Sequence, residues 1–341
     1  MQYQMNTSIN ESERMNLLNK ICRQCNLGNL ETSPVPLTGG FMHKMYSLFT
    51  DQGKYAVKLL NPFVMQRNTA LANCQTAERL EAILEENDLP IIPALTCGGQ
   101  KIRNIDGKFF YLYQWYDGRA LKPKEVSQMH CAKIGGLLAQ IHTIDRKEST
   151  SIPRELHIDW DSYISLMPQK NKELYALLKD TRPLLYESQE KGNIASAKLP
   201  PVLSICHNDM DCKNVLWIGS DCRIIDLECL SYANPLMELY ETALCWSGYE
   251  EYNIDCNLLS CFVNSYAESG GELPTDWEIL YDCSTGRLEW LEYNVKRSLG
   301  IECSEEEIEL GISEVKNTLK HVIYYHTAKN DIINCLNQTK H

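Results

Sequence analysis

The 341-residue chain has no run of 18 apolar residues, which excludes a membrane-spanning helix. Its opening segment has neither a basic stretch nor an apolar one, so no secretory leader is expected. Positive charge is in short supply: 33 Lys and Arg stand against 45 Asp and Glu, a net charge of −12. A protein that tracks a phosphate backbone or docks on an anionic bilayer needs counter-charge, so neither nucleic acid nor membrane is an expected partner. There is no internal repeat and no low-complexity tract. Cysteine, by contrast, is abundant at 15 residues, odd in number and scattered. Only Cys22-x-x-Cys25 has metal-ligand spacing, it falls on a helical pattern, and no second pair completes a zinc ribbon. Free thiols packed as small core residues in a reducing cytoplasm are the expectation.

The pattern of elements changes near residue 117. Residues 8–26 carry a helical stripe (Met15, Leu17, Leu18, Ile21) behind a capping-box signal, Ser8-x-x-Glu11, and end at Leu27-Gly28. Two strands then flank Asp51-Gln52-Gly53, a helix covers 69–86, and two further strands, 101–104 and 108–116, flank Asp106-Gly107. Beyond Asp117-Gly118, residues 125–143 place Ile134, Leu137, Leu138 and Ile141 at helical spacing, residues 200–232 read as short strands and loops, and helices dominate from 236 onward. Residues 186–199 read as a surface loop. The expected class is α+β, with a small antiparallel-sheet lobe over 1–117 and a mostly helical lobe over 118–341.

The chemistry-bearing residues concentrate between 204 and 228. His207-x-Asp209 is followed by Asn214, and twelve residues later the apolar pair Ile224-Ile225 leads to Asp226-Leu-Glu228. Phosphoryl transfer to a hydroxyl explains that spacing: one carboxylate beside the attacking hydroxyl, and an amide oxygen with a second carboxylate converging on Mg²⁺. Further back, Leu37-Thr-Gly39-Gly40 forms a glycine turn between strands, and Tyr55-Ala-Val-Lys58 puts a lysine eighteen residues after Gly40.

These stretches resemble the aminoglycoside phosphotransferase and choline kinase family, small-molecule kinases with a protein-kinase-like, bilobal fold. The family pattern H-x-D-x-x-x-x-N … [IV]-D-x-[DE] matches His207, Asp209, Asn214, Asp226 and Glu228. The segment Asn234-Pro235-Leu-Met-Glu238 and the helix Ile134-Gly-Gly-Leu-Leu-Ala-Gln-Ile-His142 also look family-like. The resemblance implies a transfer of the γ-phosphoryl group of ATP, or of GTP, to a small-molecule alcohol. Asp209 would accept the hydroxyl proton or orient the hydroxyl, with His207 bracing its loop. Asn214, Asp226 and Glu228 would hold Mg²⁺. Gly39 and Gly40 would cover the phosphates and Lys58 would contact them, paired with Glu78 or, one turn on, Glu81. Gln114 C=O and Tyr116 N–H would face the base, with Tyr113 behind it.

Departures from the protein-kinase pattern narrow the reading. There is no G-x-G-x-x-G, no D-F-G, no A-P-E, and no long segment after Asp226 to act as a platform for a protein substrate. A protein kinase, and a nucleotide-binding or spore-coat-type structural protein that has lost its chemistry, stand as the alternatives. Between Glu250 and Glu314, sixteen acidic residues face only Arg287, Lys296 and Arg297. With Tyr249, Trp290 and Tyr293 nearby in sequence, that excess suggests a cationic acceptor, such as an aminoglycoside or a choline-like amine, over a neutral sugar.

Overall fold

The computed structural model describes residues 11–37, 43–149 and 155–339. The chain divides into two compact units. One runs to Ala120 and takes in Lys213–Ser231; the other comprises Leu121–Cys212 and the chain from Tyr232 onward. The expected boundary at 117 thus falls at 120. The metal-loop stretch, expected in the second half, groups with the first unit.

In the first unit, five antiparallel strands follow the spatial order Val35–Leu37, Lys44–Thr50, Gly53–Leu59, Lys108–Gln114, Arg103–Ile105. The hairpin closes where expected, with Thr50 opposite Gly53. Asp106 and Gly107 have φ of 51° and 78°, the left-handed pair that a two-residue turn between twisted strands requires. The helix Glu11–Gln24 buries Leu17, Leu18, Ile21 and Cys22, and Leu48, Val57, Phe110 and Leu112 of the sheet belong to the same core. The proposed Ser8 cap lies outside the described residues. The helix Ala70–Glu86 packs against Leu227–Cys229. The strand Asp221–Ile224 is tied to the segment after that helix by Ile224 N–H to Pro90 O (2.8 Å) and Ile92 N–H to Ile224 O (2.9 Å). These bonds fix where Asp226 emerges.

In the second unit, the helix Gln128–Ile144 buries the whole predicted stripe of Ile134, Leu137, Leu138 and Ile141. Gly135 lies against the backbone of Phe262, and any β-carbon there would collide with the Phe262 carbonyl. This glycine is what lets the helix pack so closely on Cys256–Glu268. The strand Val202–Cys206, antiparallel to Arg146–Glu148, leads directly into His207.

Two expectations fail. Residues 186–199 are not a loop: Lys172–Ser196 is one 25-residue helix. Its polar residues are used internally, since Gln189 accepts the Ile158 N–H (2.8 Å) and Asn193 bonds both the N–H and the C=O of Leu156. Gly192 and Ala195 supply the close contact face. The thiols are also not uniformly free. Thirteen are, but Cys256 and Cys335 form a disulfide that joins the helices Cys256–Glu268 and Lys329–Asn337. Among the described residues, no helix is long and apolar enough to cross a membrane.

Candidate active site

The first unit assembles a charged cluster on Lys58. This lysine sits on the strand Gly53–Leu59 opposite Tyr111, is 4% exposed, and places its Nζ 2.6 Å from Asp226 Oδ1 and 2.6 Å from Glu228 Oε2. Burial would lower its pKa, but the charges of Asp226 and Glu228 outweigh that and raise it, so the ammonium is retained. Glu228 is completed by His43, whose Nε2 lies 3.0 Å from Oε1. The tautomer follows from the other side of the ring: His43 Nδ1 accepts the Asn61 N–H (2.9 Å), so the proton is on Nε2 and points at the carboxylate. Burial would raise the Glu228 pKa; the hydrogen bond from His43 and the charge of Lys58 together hold it down to about 2. Asp226 has φ +65°, a left-handed conformation rare outside glycine, asparagine and aspartate and typical of a functional turn.

Lys58 is therefore paired with the metal-segment acids, and the expected pairing with Glu78 or Glu81 is not present. Glu78 accepts the Ile102 N–H (2.8 Å). Glu81 accepts the Ala94 N–H (3.1 Å) and pairs with Lys101. Burial pushes the Glu81 carboxyl up to about 7 against the opposing hydrogen bond from Lys101. Both glutamates hold the loop after their helix instead of reaching the sheet lysine.

Asn214 is buried, and its carbonyl accepts the Ile225 N–H (2.9 Å), which locks it to the residue next to Asp226. That bond is between main-chain groups and brings the two segments together; an amide oxygen and a carboxylate from them would make an all-oxygen donor set that suits a hard divalent cation. Glu228, also expected as a ligand, has its two oxygens committed to His43 and Lys58. Gln114 is exposed and its side chain donates to Lys54 O (3.1 Å), and Tyr116 lies half-buried under Arg223. Tyr113 is pushed up by burial and by the charges of Glu228 and Asp226. Gly39 and Gly40 lie outside the described residues.

The second unit builds a different kind of site around Glu238, on the helix Pro235–Cys245. Its carboxylate accepts the backbone N–H of His207 (3.1 Å) and of Asn208, and faces His142 Nε2 at 2.7 Å. An ionised carboxylate only accepts, so His142 carries its proton on Nε2; its Nδ1 lies 2.9 Å from Tyr266 OH. Burial would raise the Glu238 pKa, yet the hydrogen bond and charge of His142 lower it. The result is a loop whose first two N–H groups are pinned by one buried acid. His207 is fully buried and its Nδ1 accepts the Asp209 N–H (3.2 Å), while Asn208 takes φ +62°. Trp246 Nε1 donates to Met210 O (2.9 Å), so the loop is held on both sides of the half-buried Asp209.

His142, Cys206 and Glu238 also satisfy the ligand spacing of a metal site. The oxygens of Glu238 are spent on three donors and the Cys206 pKa is driven far up by burial, which suits a hydrogen-bonded brace and not a metal centre. His43 and Tyr266 carry no motif signal of their own, and His142 closes a family-like helix without showing its role, because their partners lie 185, 124 and 96 residues away in the chain.

Residues 34–259 match the model of a phosphotransferase enzyme family, and the chain belongs to that family. It is 26% identical over 212 residues to human ethanolamine kinase 1, a match covering 58% of this chain and 41% of that protein. The chain thus spans under half the length of that curated relative. Among solved structures it shares its fold with a spectinomycin phosphotransferase crystallised with ADP and spectinomycin (TM-score 0.67, 15% identity, 91% of this chain and 98% of the other). The same holds for Plasmodium vivax ethanolamine kinase (TM-score 0.58, 16% identity, 92% and 90%). These neighbours bear out the bilobal α+β class.

Proposed function

We propose that the chain transfers the γ-phosphoryl group of ATP to a hydroxyl of a small cationic acceptor. The observation that carries this is the buried Lys58 ammonium shared by Asp226 and Glu228, on the residues of the phosphotransfer motif. When phosphates arrive, they offer Lys58 a stronger anionic partner, and Asp226 is released to face a cation with Asn214. Mg²⁺ bound there would neutralise charge on the transferring group. His43 keeps Glu228 ionised throughout. In the second unit, Asp209 orients the acceptor hydroxyl or takes its proton, and Glu238 fixes the backbone that presents it. Positioning and electrostatics carry the acceleration. ADP in the spectinomycin phosphotransferase and AMP-PNP in an amicoumacin kinase of the same fold support an adenine nucleotide.

The acceptor preference is refined by the helices. Much of the acidic excess between 250 and 314 is spent on structure. Asp255 and Asp276 cap helices, Glu305–Glu307 open the helix Glu305–Thr327, and Glu272 and Glu292 pair with Arg146 and Lys296. Trp290 stacks on Tyr293. Tyr249 belongs to another cluster, three residues past Trp246, where Tyr252 stacks on His321 at 4.4 Å and Tyr324 meets both tyrosines. Glu250 lies 3.6 Å from His321 Nε2. Burial lowers the His321 pKa, and the Glu250 carboxylate beside that ring, together with the tyrosine faces, gives a cation both charge and π-surface. The test is a panel of hydroxylated amines and neutral sugars assayed for ATP turnover at two salt concentrations. Turnover of amines with KM rising with salt is expected. Turnover of neutral sugars only, or KM for amines indifferent to salt, contradicts the acceptor assignment.

A further inference from the structure

We propose that a second cleft in the helical unit binds a small ligand bearing an oxyanion, phosphate or carboxylate, with Arg287 as its anchor. The cleft lies between the helix Lys172–Ser196 and the C-terminal helices and is open to solvent. Its wall is a four-layer stack. The Arg287 guanidinium lies 3.4 Å over the Tyr325 ring, Tyr325 stacks on Tyr281 at 4.2 Å and 6°, and Lys329 caps Tyr281 at 4.7 Å. The two tyrosines are locked by reciprocal bonds, each hydroxyl donating to the other's main-chain carbonyl (2.9 and 2.7 Å). Both cations thus lie over rings that are hydrogen-bonded to one another.

The charges lining the cleft do not cancel. Lys191 is matched by Glu187 at 2.6 Å, and Lys329 by Asp282 at 3.5 Å and Glu278 at 3.8 Å. Among the described residues, Arg287 reaches no carboxylate within ion-pair distance. Its one hydrogen bond is to Ser284 Oγ (3.3 Å), which itself donates to Glu241. Glu241 is solvent-exposed and reaches Arg287 through that hydroxyl, not as a direct ion pair. Arg287 also stands at the second position of the helix Gly286–Ser298, where the helix dipole disfavours a positive charge. A chain with net charge −12 therefore keeps a guanidinium in direct contact with no carboxylate, at an unfavourable helix end, facing a cavity lined by Lys191, Lys329 and His326 as well as by Glu187 and Asp282. The planar fork of a guanidinium matches the paired oxygens of a phosphate or carboxylate. None of its residues belongs to the Lys58 cluster, and it backs onto the Tyr249 aromatic group, since Tyr325 meets Tyr249 edge-on at 6.1 Å.

Calorimetric titration of inorganic phosphate and of succinate into wild type, Lys58→Met, Arg287→Gln and Lys329→Gln tests it, with circular dichroism checking each fold. At least one anion binds wild type and Lys58→Met alike. Affinity falls about tenfold in Arg287→Gln, the scale of one lost charge-assisted bond, and falls less in Lys329→Gln. Phosphate alone or succinate alone identifies the oxyanion. Absence of binding by both, loss of binding in Lys58→Met, or affinity unchanged in both cleft variants overturns the proposal. If Arg287→Gln does not fold, Lys329→Gln decides.

Discussion

Glu228 and Glu238 are ten residues apart in the chain, and burial would raise the pKa of both, yet both are held ionised. Each takes a histidine hydrogen bond, and they differ in their remaining partners. Glu228 is balanced by the His43 hydrogen bond and the Lys58 charge, in a cluster where Asp226 keeps 31% of its side-chain surface open. Glu238 is balanced by donors fixed in the fold: two backbone N–H groups and His142. An ion pair that still touches water can be exchanged for another anion, as nucleotide binding requires. A buried acid saturated by backbone donors cannot be exchanged without breaking the loop it holds. The first is suited to binding and the second to presenting a residue rigidly.

The largest expected effect breaks the second arrangement. Glu238→Ala strands two backbone N–H groups and the His142 proton in a dry interior, and a cost of about 3–5 kcal/mol is expected. Chemical denaturation measures it, and a loss under about 1 kcal/mol would show that the loop does not depend on this acid. A smaller effect separates the two acids by pH. Because the folded Glu228 pKa is depressed to about 2, its contribution is present above the ordinary carboxylate value and is lost as pH falls from there toward about 2. That contribution is on the order of 1–3 kcal/mol. Glu228→Gln should remove that part of the acid-induced drop and leave the part owed to Glu238. A stability–pH curve identical to wild type would mean that His43 and Lys58 do not hold Glu228.

The local elements were legible in the sequence because their signals are local. Asp106-Gly107, the stripe of Ile134 to Ile141 and the spacing from His207 to Asp226 are each contained within a few turns or one loop. What was not legible depends on distant partners. Nothing near Lys58 in sequence says whether a helix glutamate or the acids 168 and 170 positions later will pair with it. The stretch 186–199 looks like a loop because it is polar, and only the backbone of Leu156 and Ile158 explains why Gln189 and Asn193 belong on a helix. Glu238 carried a family resemblance but no visible role until its donors were placed. The expectation of uniformly free thiols failed for the same reason, at a separation of 79 residues.

The division of labour between the two units is tested most directly by measuring nucleotide affinity, with Mg²⁺ present, and turnover on the same two variants. Asp209→Asn is expected to bind nucleotide within about threefold of wild type and to lose at least about 10²-fold in turnover. Asp226→Ala is expected to lose the Mg²⁺-dependent affinity itself. Turnover of Asp209→Asn within about threefold of wild type, or equal nucleotide affinity in wild type and Asp226→Ala, would contradict the account.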